Sequence, residues 1–383
     1  MMYLIGILFL AIFATINIFV GLKGWEIIGQ FMPFTNIYIY WILFALIVLS
    51  FFIGRVGRKY LPAFINRIFN LVGSYWLAIL FYLLIFGILV IIIRLILKIT
   101  GSYTYYTGTH DVKLTLAVAV IFFISIILMY GTYNANHSKI VEYDIFINKK
   151  VGNLKKLNII TVSDIHLGSI IGKSRLDKMV EEVNKLNPDI VLLCGDIIDD
   201  DIKPFINKNM GESFKNIKSK YGVYGVLGNH EYMGGNIEKT EEVFKAAGIK
   251  VLKDDVEKIQ DSFYVVGRDD ASGHSFGGKN RRDISKLIEK CDKLLPIIVL
   301  DHQPVKLEDA EKAGVDLQFS GHTHKGQFFP TNLITKRIFK IDWGYMKENN
   351  FNVIVTSGFG TWGPPIRVGS RSEIVKTKVI FKQ

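Results

Sequence analysis

Long apolar runs without a single charged residue occupy the first third of the chain. There are four such runs, over Tyr3–Leu22, Ile37–Gly54, Ile68–Ile93 and Leu114–Tyr133. Each is close to or above the roughly 18–20 residues that a helix needs to cross a bilayer. We therefore predict a membrane region of residues 1–136 with four transmembrane helices, over residues 3–22, 37–54, 68–93 and 114–133.

The first run could instead be a cleavable signal peptide. It lacks a basic segment at its start and a small-residue cleavage site, and three further apolar runs follow it. These features favour a retained membrane span.

The pattern changes at about Lys139, where short apolar strands begin to alternate with polar segments. The predicted strands are Asn158–Val162, Ile190–Leu193, Val223–Leu227, Phe263–Val266, Ile297–Leu300, Leu317–Phe319 and Val353–Thr356. Lys173–Leu186 and Lys239–Ala247 have helical spacing, whereas Gly267–Gly278 and Tyr345–Asn350 have the composition of loops. Alternating strands and helices predict a layered α/β domain over residues 139–383.

The formal charge of +11 raises the question of nucleic-acid binding, so its distribution matters. Residues 1–136 hold 8 basic and 2 acidic residues, or +6, which leaves +5 for the 247 residues that follow. Such a mildly basic domain does not imply a nucleic-acid partner.

The basic residues also bear on orientation. Arg55, Arg58, Lys59 and Arg67 lie around the second loop of the membrane region with no acidic residue among them. Positive loops remain on the cytoplasmic side, so we expect the domain after the fourth span in the cytoplasm of a multi-pass cell-membrane protein. Two cysteines, Cys194 and Cys291, form no disulfide framework, which agrees weakly with a reducing compartment.

Ligand-capable side chains follow five of the predicted strands. Ser163-Asp164-Ile165-His166 follows the first of these strands, and Cys194-Gly195-Asp196 follows the next, with Asp199 three residues further on. Asp164 and His166 are two residues apart and can point into one site. Asp196 has two oxygens with which to bridge two cations, and Asp199 could support the site.

The other three clusters have the same character. Gly228-Asn229-His230-Glu231 offers an amide oxygen and a proton donor, His302 follows a fourth strand, and Gly321-His322-Thr323-His324 follows a fifth. One such cluster is a weak signal, since a single histidine at a strand end is more often structural. Five in succession indicate a metal site, because ligand sites of open α/β sheets lie at the carboxyl ends of the strands.

With these motifs the chain resembles the calcineurin-like metallophosphoesterases, and within them the bacterial subgroup containing YkuE and YaeI. The resemblance covers about Lys139 to the C-terminus and includes Gly321–Gln327 and Thr361–Arg367. It implies a β-sandwich flanked by helices, in αββα layers. It also implies two divalent metal ions, the first held by Asp164, His166 and His324, the second by Asn229, His302 and His322, with Asp196 between them.

By the same resemblance His230 would protonate the leaving oxygen or stabilise the transition state, oriented by Asp199. Mixed aspartate, asparagine and histidine ligation favours Mn²⁺, Fe or Zn²⁺ over Ca²⁺. The chain would thus be a metal-dependent phosphoric ester or pyrophosphate hydrolase. Its membrane region favours a lipid-linked substrate, and UDP-diacylglucosamine is the specific example that the resemblance offers.

Two alternatives remain open at this level. The enzyme could be a phosphodiesterase or phosphatase acting on soluble nucleotides, or the domain could be a catalytically silent membrane sensor. A cation transporter is disfavoured, because the four apolar runs contain no acidic or histidine residue.

A few further residues have weaker claims on substrate. Asp269, Asp270 and His274 lie in or near the Gly-rich loop, and Arg367 follows two prolines. Lys325 stands where the subgroup commonly has a small residue, and could touch an anionic substrate or be solvated.

Overall fold

The computed structural model describes residues 2–32, 34–101, 110–276 and 280–382. The chain forms two compact units, Met1–Met129 and Tyr130–Gln383. The Gly-rich loop predicted over Gly267–Gly278 lies partly outside the described residues.

Four helices make up the apolar part of the chain: α1 Met2–Phe31, α2 Ile37–Val56, α3 Ala63–Ile99 and α4 His110–Asn136. All four are long and apolar enough to cross a membrane. Each predicted span lies inside one of them, and the helices extend beyond the uncharged runs. Polar side chains bond within the first unit, where the Trp76 indole donates to Asn17 Oδ1 at 2.9 Å. Such bonds satisfy polar groups in a lipid environment.

The second unit contains two six-stranded sheets. Its strands are β1 Lys139–Ile147, β2 Lys156–Val162, β3 Ile190–Cys194, β4 Val223–Val226, β5 Ile249–Val251, β6 Asp255–Ile259, β7 Phe263–Gly267, β8 Ile297–Leu300, β9 Leu317–Ser320, β10 Gly344–Glu348, β11 Phe351–Val355 and β12 Glu373–Phe381. The helices are α5 Lys173–Lys185, α6 Lys203–Asn207, α7 Gly211–Lys215, α8 Asn229–Met233, α9 Ile237–Ala246, α10 Ile284–Leu287, α11 Leu307–Ala313 and α12 Thr331–Ile338.

The first sheet has the order β1-β12-β2-β3-β4-β5, and the second has the order β10-β11-β9-β8-β7-β6. In the first sheet β2, β3, β4 and β5 run parallel, while β12 is antiparallel to β2. In the second, β7, β8, β9 and β11 are parallel, with antiparallel neighbours β6 and β10 at its edges. The last strand of the chain, β12, thus lies inside the first sheet between β1 and β2.

Side chains alternate between the two faces of each strand, so three apolar layers form. Ile159 and Leu192 pack between the sheets, whereas their neighbours Ile160 and Val191 pack against helices. A third cluster covers the outer face of the second sheet with α10 and α11. The layers are therefore helix, sheet, sheet, helix, and the predicted αββα sandwich is confirmed.

Two features of the secondary structure differ from the sequence prediction. The prediction of a loop over Tyr345–Asn350 was wrong, because β10 covers Gly344–Glu348 and pairs antiparallel with β11. Its polar residues belong to an edge strand with one face toward solvent, where Tyr345 donates a hydrogen bond to Asn352. The strands β1, β5, β6 and β12 were also missed, since their alternating charged residues mask the apolar face.

Candidate metal site

The five candidate clusters converge on one edge of the sandwich. Their residues directly follow β2, β3 and β4 of the first sheet and β8 and β9 of the second. Parallel strands present their carboxyl ends at the same edge, so the clusters of both sheets meet there. Backbone hydrogen bonds tie the loops together: Asp164 N donates to Gly195 O and His166 N donates to Asp196 O, both at 3.0 Å.

The backbone at the site is unusual. Five of the candidate residues have positive backbone φ angles between 49° and 67°: Asp164, His166, Asp196, His322 and His324. Aspartate and histidine adopt this left-handed conformation more often than most residues, but it costs free energy that the surrounding structure must supply. The turns point side chains of neighbouring loops at one another instead of along the sheet.

A first group of ligand atoms comes from Asp164, His166 and His324. His166 Nε2 lies 3.1 Å from His324 Nε2, and His324 Nε2 lies 3.3 Å from Asp164 Oδ1. All three side chains are buried. Burial lowers the pKa of His166 to about 3, so that imidazole is neutral and keeps a lone pair for a cation.

A second group is built by Asn229, His302 and His322. Asn229 Oδ1 lies 3.2 Å from His302 Nε2 and 2.9 Å from His322 Nδ1. His302 Nδ1 lies 2.7 Å from the Cys194 carbonyl oxygen, which sets the ring so that Nε2 faces the group. Burial, followed by the charge of His302, lowers the pKa of His322 to about 4.

Asp196 lies between the two groups. Its Oδ2 is 3.2 Å from His302 Nε2 and 3.9 Å from His166 Nε2. Burial opposes its ionisation, but the charge and hydrogen bond of His302 hold the pKa of Asp196 well below its usual range. One carboxylate therefore faces both groups.

His230 borders this arrangement without joining either group. Its Nδ1 lies 3.1 Å from Asp199 Oδ1 and 3.0 Å from Asp200 Oδ1. Burial alone would lower the pKa of His230, but hydrogen bonds to Asp199 and Asp200 and the charge of Asp196 raise it to about 11. An imidazolium held in this way by Nδ1 retains Nε2 as its second proton donor.

The donor atoms fit divalent cations. The ligand atoms of Asp164, His166 and His324 lie within 4.8 Å of one another, and so do those of Asp196, His302 and His322. Nitrogen and oxygen acceptors packed this closely are costly without a partner, and a cation among them would offset that cost. The oxygen and imidazole set suits Mn²⁺, Fe or Zn²⁺.

The sequence did not predict the roles of three residues that support the site through hydrogen bonds or ion pairs. Glu231 accepts hydrogen bonds from the backbone N–H groups of Gly228, Asp196 and Ile198 at 2.7, 3.1 and 3.0 Å. Asp200 lies beside the expected Asp199, and their adjacency in sequence was the available signal. Cys194 contributes only its carbonyl oxygen, for which no sequence signal exists.

Arg367 contacts the backbone around the site. Its guanidinium is fully buried, donates to the carbonyl oxygens of Gly358 and Gly360, and places Nη2 3.1 Å from His324 Nδ1. It forms no salt bridge with the residues that the structure describes. Arg367 thus supports the loops that hold the first group.

The weaker candidates are engaged elsewhere. Asp269 accepts a hydrogen bond from the Tyr232 hydroxyl, and Asp270 accepts one from Gln303, with both carboxylates buried. Lys325 Nζ lies over the Trp343 ring, 3.6 Å from its centroid.

His274 is separate from these contacts. It lines a cleft of about 720 Å³.

Comparisons with known proteins identify the family of the domain. The family model described as calcineurin-like phosphoesterase matches residues 157–326, which include all the candidate ligands. A transmembrane protein with metallophosphoesterase domain of Danio rerio is 30% identical over 326 residues, covering 82% of this chain and 73% of that protein. An uncharacterized metallophosphoesterase of Campylobacter jejuni is 33% identical over 276 residues, covering 70% and 72%.

Among solved structures, a 5'-nucleotidase precursor from Thermus thermophilus is similar with a TM-score of 0.36 and 16% identity, over 59% of this chain and 54% of the other. The family model and the relatives of similar length, not this distant likeness, carry the assignment. The chain belongs to the calcineurin-like metallophosphoesterase family and combines that domain with four apolar helices.

Proposed function

We propose that the protein hydrolyses a phosphoester or pyrophosphate at a dinuclear metal site. The observation that carries the proposal is the position of Asp196, whose Oδ2 faces both His302 and His166. Asp164, His166 and His324 would hold one cation, and Asn229, His302 and His322 the other. Two divalent cations, when bound, would neutralise phosphoryl charge and acidify the water that attacks phosphorus.

The residues of the chain supply the remaining requirements. Asp199 and Asp200 hold His230 through Nδ1, which leaves its Nε2 proton for the leaving oxygen or the charged transition state. Asp164, His166, Asp196, His302 and His324 are buried, so these ligands are largely shielded from water. These features support catalysis over a silent sensor.

The proposal is tested on the full-length protein in detergent. We expect Mn²⁺-dependent hydrolysis of bis-p-nitrophenyl phosphate by the wild type, and loss of both activity and bound metal in Asp196→Asn. Asp261→Asn is the matched control, because the Asp261 side chain is 90% exposed and pairs with Lys258 at the surface. Activity in Asp196→Asn equal to that of the control would overturn the assignment.

We further propose a lipid-linked substrate, of which UDP-diacylglucosamine is an example, and a cytoplasmic catalytic domain. The four apolar helices support this proposal. They are long and apolar enough to cross a membrane, and they belong to the same chain as the catalytic domain. Rates on lipid-linked and soluble nucleotide substrates are to be compared in the same mixed micelles. A clear preference for the nucleotides would replace the lipid substrate by the alternative of a soluble one.

A further inference from the structure

An exposed apolar surface lies on and beside helix α12. No residue of α12 is buried, and Leu333, Ile334 and Ile338 are 58%, 58% and 69% exposed. Phe329 and Trp362, which are 52% and 47% exposed, extend this surface. We call these five residues the apolar patch. Large apolar side chains grouped in this way on a folded domain mark an interaction site.

The patch is held together by the segment that precedes α12. Gln327 Nε2 donates to the Trp362 carbonyl oxygen at 2.9 Å, and the rings of Phe328 and Trp362 have centroids 6.2 Å apart. The Thr331 hydroxyl at the start of α12 donates back to Phe328 O. The loop that carries Trp362 is therefore tied to the segment that leads into α12.

The charge of the helix suits an anionic bilayer. Lys336 and Arg337 are exposed on α12, and neither forms an ion pair with the residues that the structure describes. Long basic side chains on an apolar helix reach lipid phosphates while their stems remain in the apolar layer. Tryptophan is enriched at the same depth of a membrane.

The patch is also joined to a membrane helix within the second unit. Gly131, in the apolar stretch Leu114–Asn136, accepts a hydrogen bond from Arg367 N at 2.9 Å. A Cβ at Gly131 would lie 3.0 Å from both Ile366 and Val368, and Val368 N donates to Gln327 O at 2.8 Å. Two steps of contact thus connect the end of a membrane-crossing helix with the base of the patch.

The same helix borders the candidate metal site. A Cβ at Gly326, two residues after His324, would overlap the backbone of Asn332 in α12. Phe339, which follows α12, has its ring centroid 6.3 Å from that of His322. Whatever surface the patch contacts is therefore close to the ligands from β9.

We infer that the apolar patch enters the headgroup layer of an anionic lipid bilayer, with Lys336 and Arg337 at the lipid phosphates. The partner is the membrane in which the apolar helices of the chain lie. Insertion brings the candidate ligands that follow β9, His322 and His324, close to the lipid phosphates. This last consequence rests on the proposed phosphoesterase function, whereas the insertion itself does not.

The insertion is tested by labelling the full-length protein in phosphatidylglycerol-containing nanodiscs. Cys194 and Cys291 are buried, so Ile334→Cys and Ile338→Cys each provide one reactive thiol for an environment-sensitive fluorophore. Glu242→Cys on α9 is the matched control, because the Glu242 side chain is 69% exposed and α9 packs against β5 of the first sheet, whereas α12 follows β9 of the second. Leu43→Cys inside α2 is the positive control.

We expect doxyl-labelled lipids to quench the fluorophore at positions 334, 338 and 43 and to spare position 242. Quenching at position 43 without quenching at 334 and 338 would overturn the inference. Cross-linking of position 334 between two copies, again without lipid quenching, would assign the patch to a second copy of the chain instead.

A second measurement separates the two proposals. The variant Leu333→Ser, Ile334→Ser, Ile338→Ser is assayed on phosphatidyl-p-nitrophenol in phosphatidylglycerol vesicles and on soluble bis-p-nitrophenyl phosphate. We expect about a tenfold or larger fall on the vesicle substrate and a change within about twofold on the soluble one, because only the vesicle substrate needs the patch. Equal losses on both would make α12 a structural support only. A wild type inactive on both substrates would refute the phosphoesterase function, and the quenching result would still decide the insertion.

Discussion

Glu231 and Arg367 are fully buried ionisable side chains, and both bind backbone groups near the candidate metal site. Glu231 joins the loop after β4 to the loop after β3 through three N–H groups. Arg367 satisfies carbonyl groups of the loop after β11. A buried ionisable group is tolerated only when its polar atoms are hydrogen-bonded, so these two residues define the positions of the loops.

His230 has a testable role at this scale. His230→Ala should keep its bound metal and lose about 10²- to 10⁴-fold in kcat, because the leaving oxygen loses its proton donor. Metal analysis and turnover of bis-p-nitrophenyl phosphate measure the two effects. His137→Ala, at an exposed residue bonded to Tyr133 O, is the control and should turn over like the wild type. A His230 variant as fast as that control would remove His230 from the mechanism.

Arg367 yields a prediction about stability. Arg367→Met should lower Tm by about 5 to 10 °C, because the Gly358 and Gly360 carbonyl groups lose their donors inside the domain. Arg371→Met is the comparison, since Arg371 lies nearer the surface and donates to His137 O. Thermal unfolding of both variants in detergent provides the measurement. Equal shifts in Tm would show that the buried Arg367 guanidinium stabilises the domain no more than the guanidinium of Arg371 does.

At the scale of elements, the turns after the strands determine the geometry of the site. They are short and closely packed, and glycine occurs where loops touch. A Cβ at Gly228 would overlap Asp196 Oδ1 and lie 2.6 Å from Asp196 N. The loop after β4 can therefore approach the loop after β3 only because residue 228 has no side chain.

The close contact between these two loops predicts how a methyl group at position 228 changes the stability of the domain. Gly228→Ala should destabilise the domain by about 1 to 3 kcal/mol, as overpacking does, and reduce its bound metal. Gly172→Ala is a close control, because Gly172 precedes α5 with φ −104° and ψ −176°, against −110° and −173° at Gly228, and nothing lies within 4 Å of its Cβ position. Unfolding and metal content would be measured for both. The hypothesis fails should the two variants behave alike.

For the whole molecule, the open question is the side of the membrane on which the domain lies. The two native cysteines are 0% and 6% exposed and do not report on it. Phe34, between α1 and α2, is fully exposed, and Glu242 is exposed on the domain. Positive loops are retained inside, and the basic residues after α2 predict opposite sides for these two positions.

In intact cells, Phe34→Cys should therefore react with a membrane-impermeant maleimide, and Glu242→Cys should react only after permeabilisation. Labelling of Cys-substituted protein, with the parent protein as the background, measures this. The reverse pattern would place the catalytic domain outside and contradict the predicted topology.

The sequence by itself was sufficient for two levels of the structure. Apolar runs of membrane length indicated the four helices, because length and lack of charge are local properties. The seven predicted strands were found with ends displaced by no more than about two residues, and the αββα sandwich followed from the family resemblance. The candidate ligands were also recognisable, since each follows a strand in a short motif.

Only the tertiary structure decided how these parts meet. Pairing of β12 between β1 and β2, the strand β10, and the contacts of Glu231 and Arg367 all join residues distant in sequence. The exposure of α12 likewise arises because the rest of the domain leaves its apolar side chains uncovered. Local pattern cannot specify such features, because burial and hydrogen-bond partners are properties of the folded chain. The site is therefore predictable as a set of residue types, and its geometry only as a result of packing.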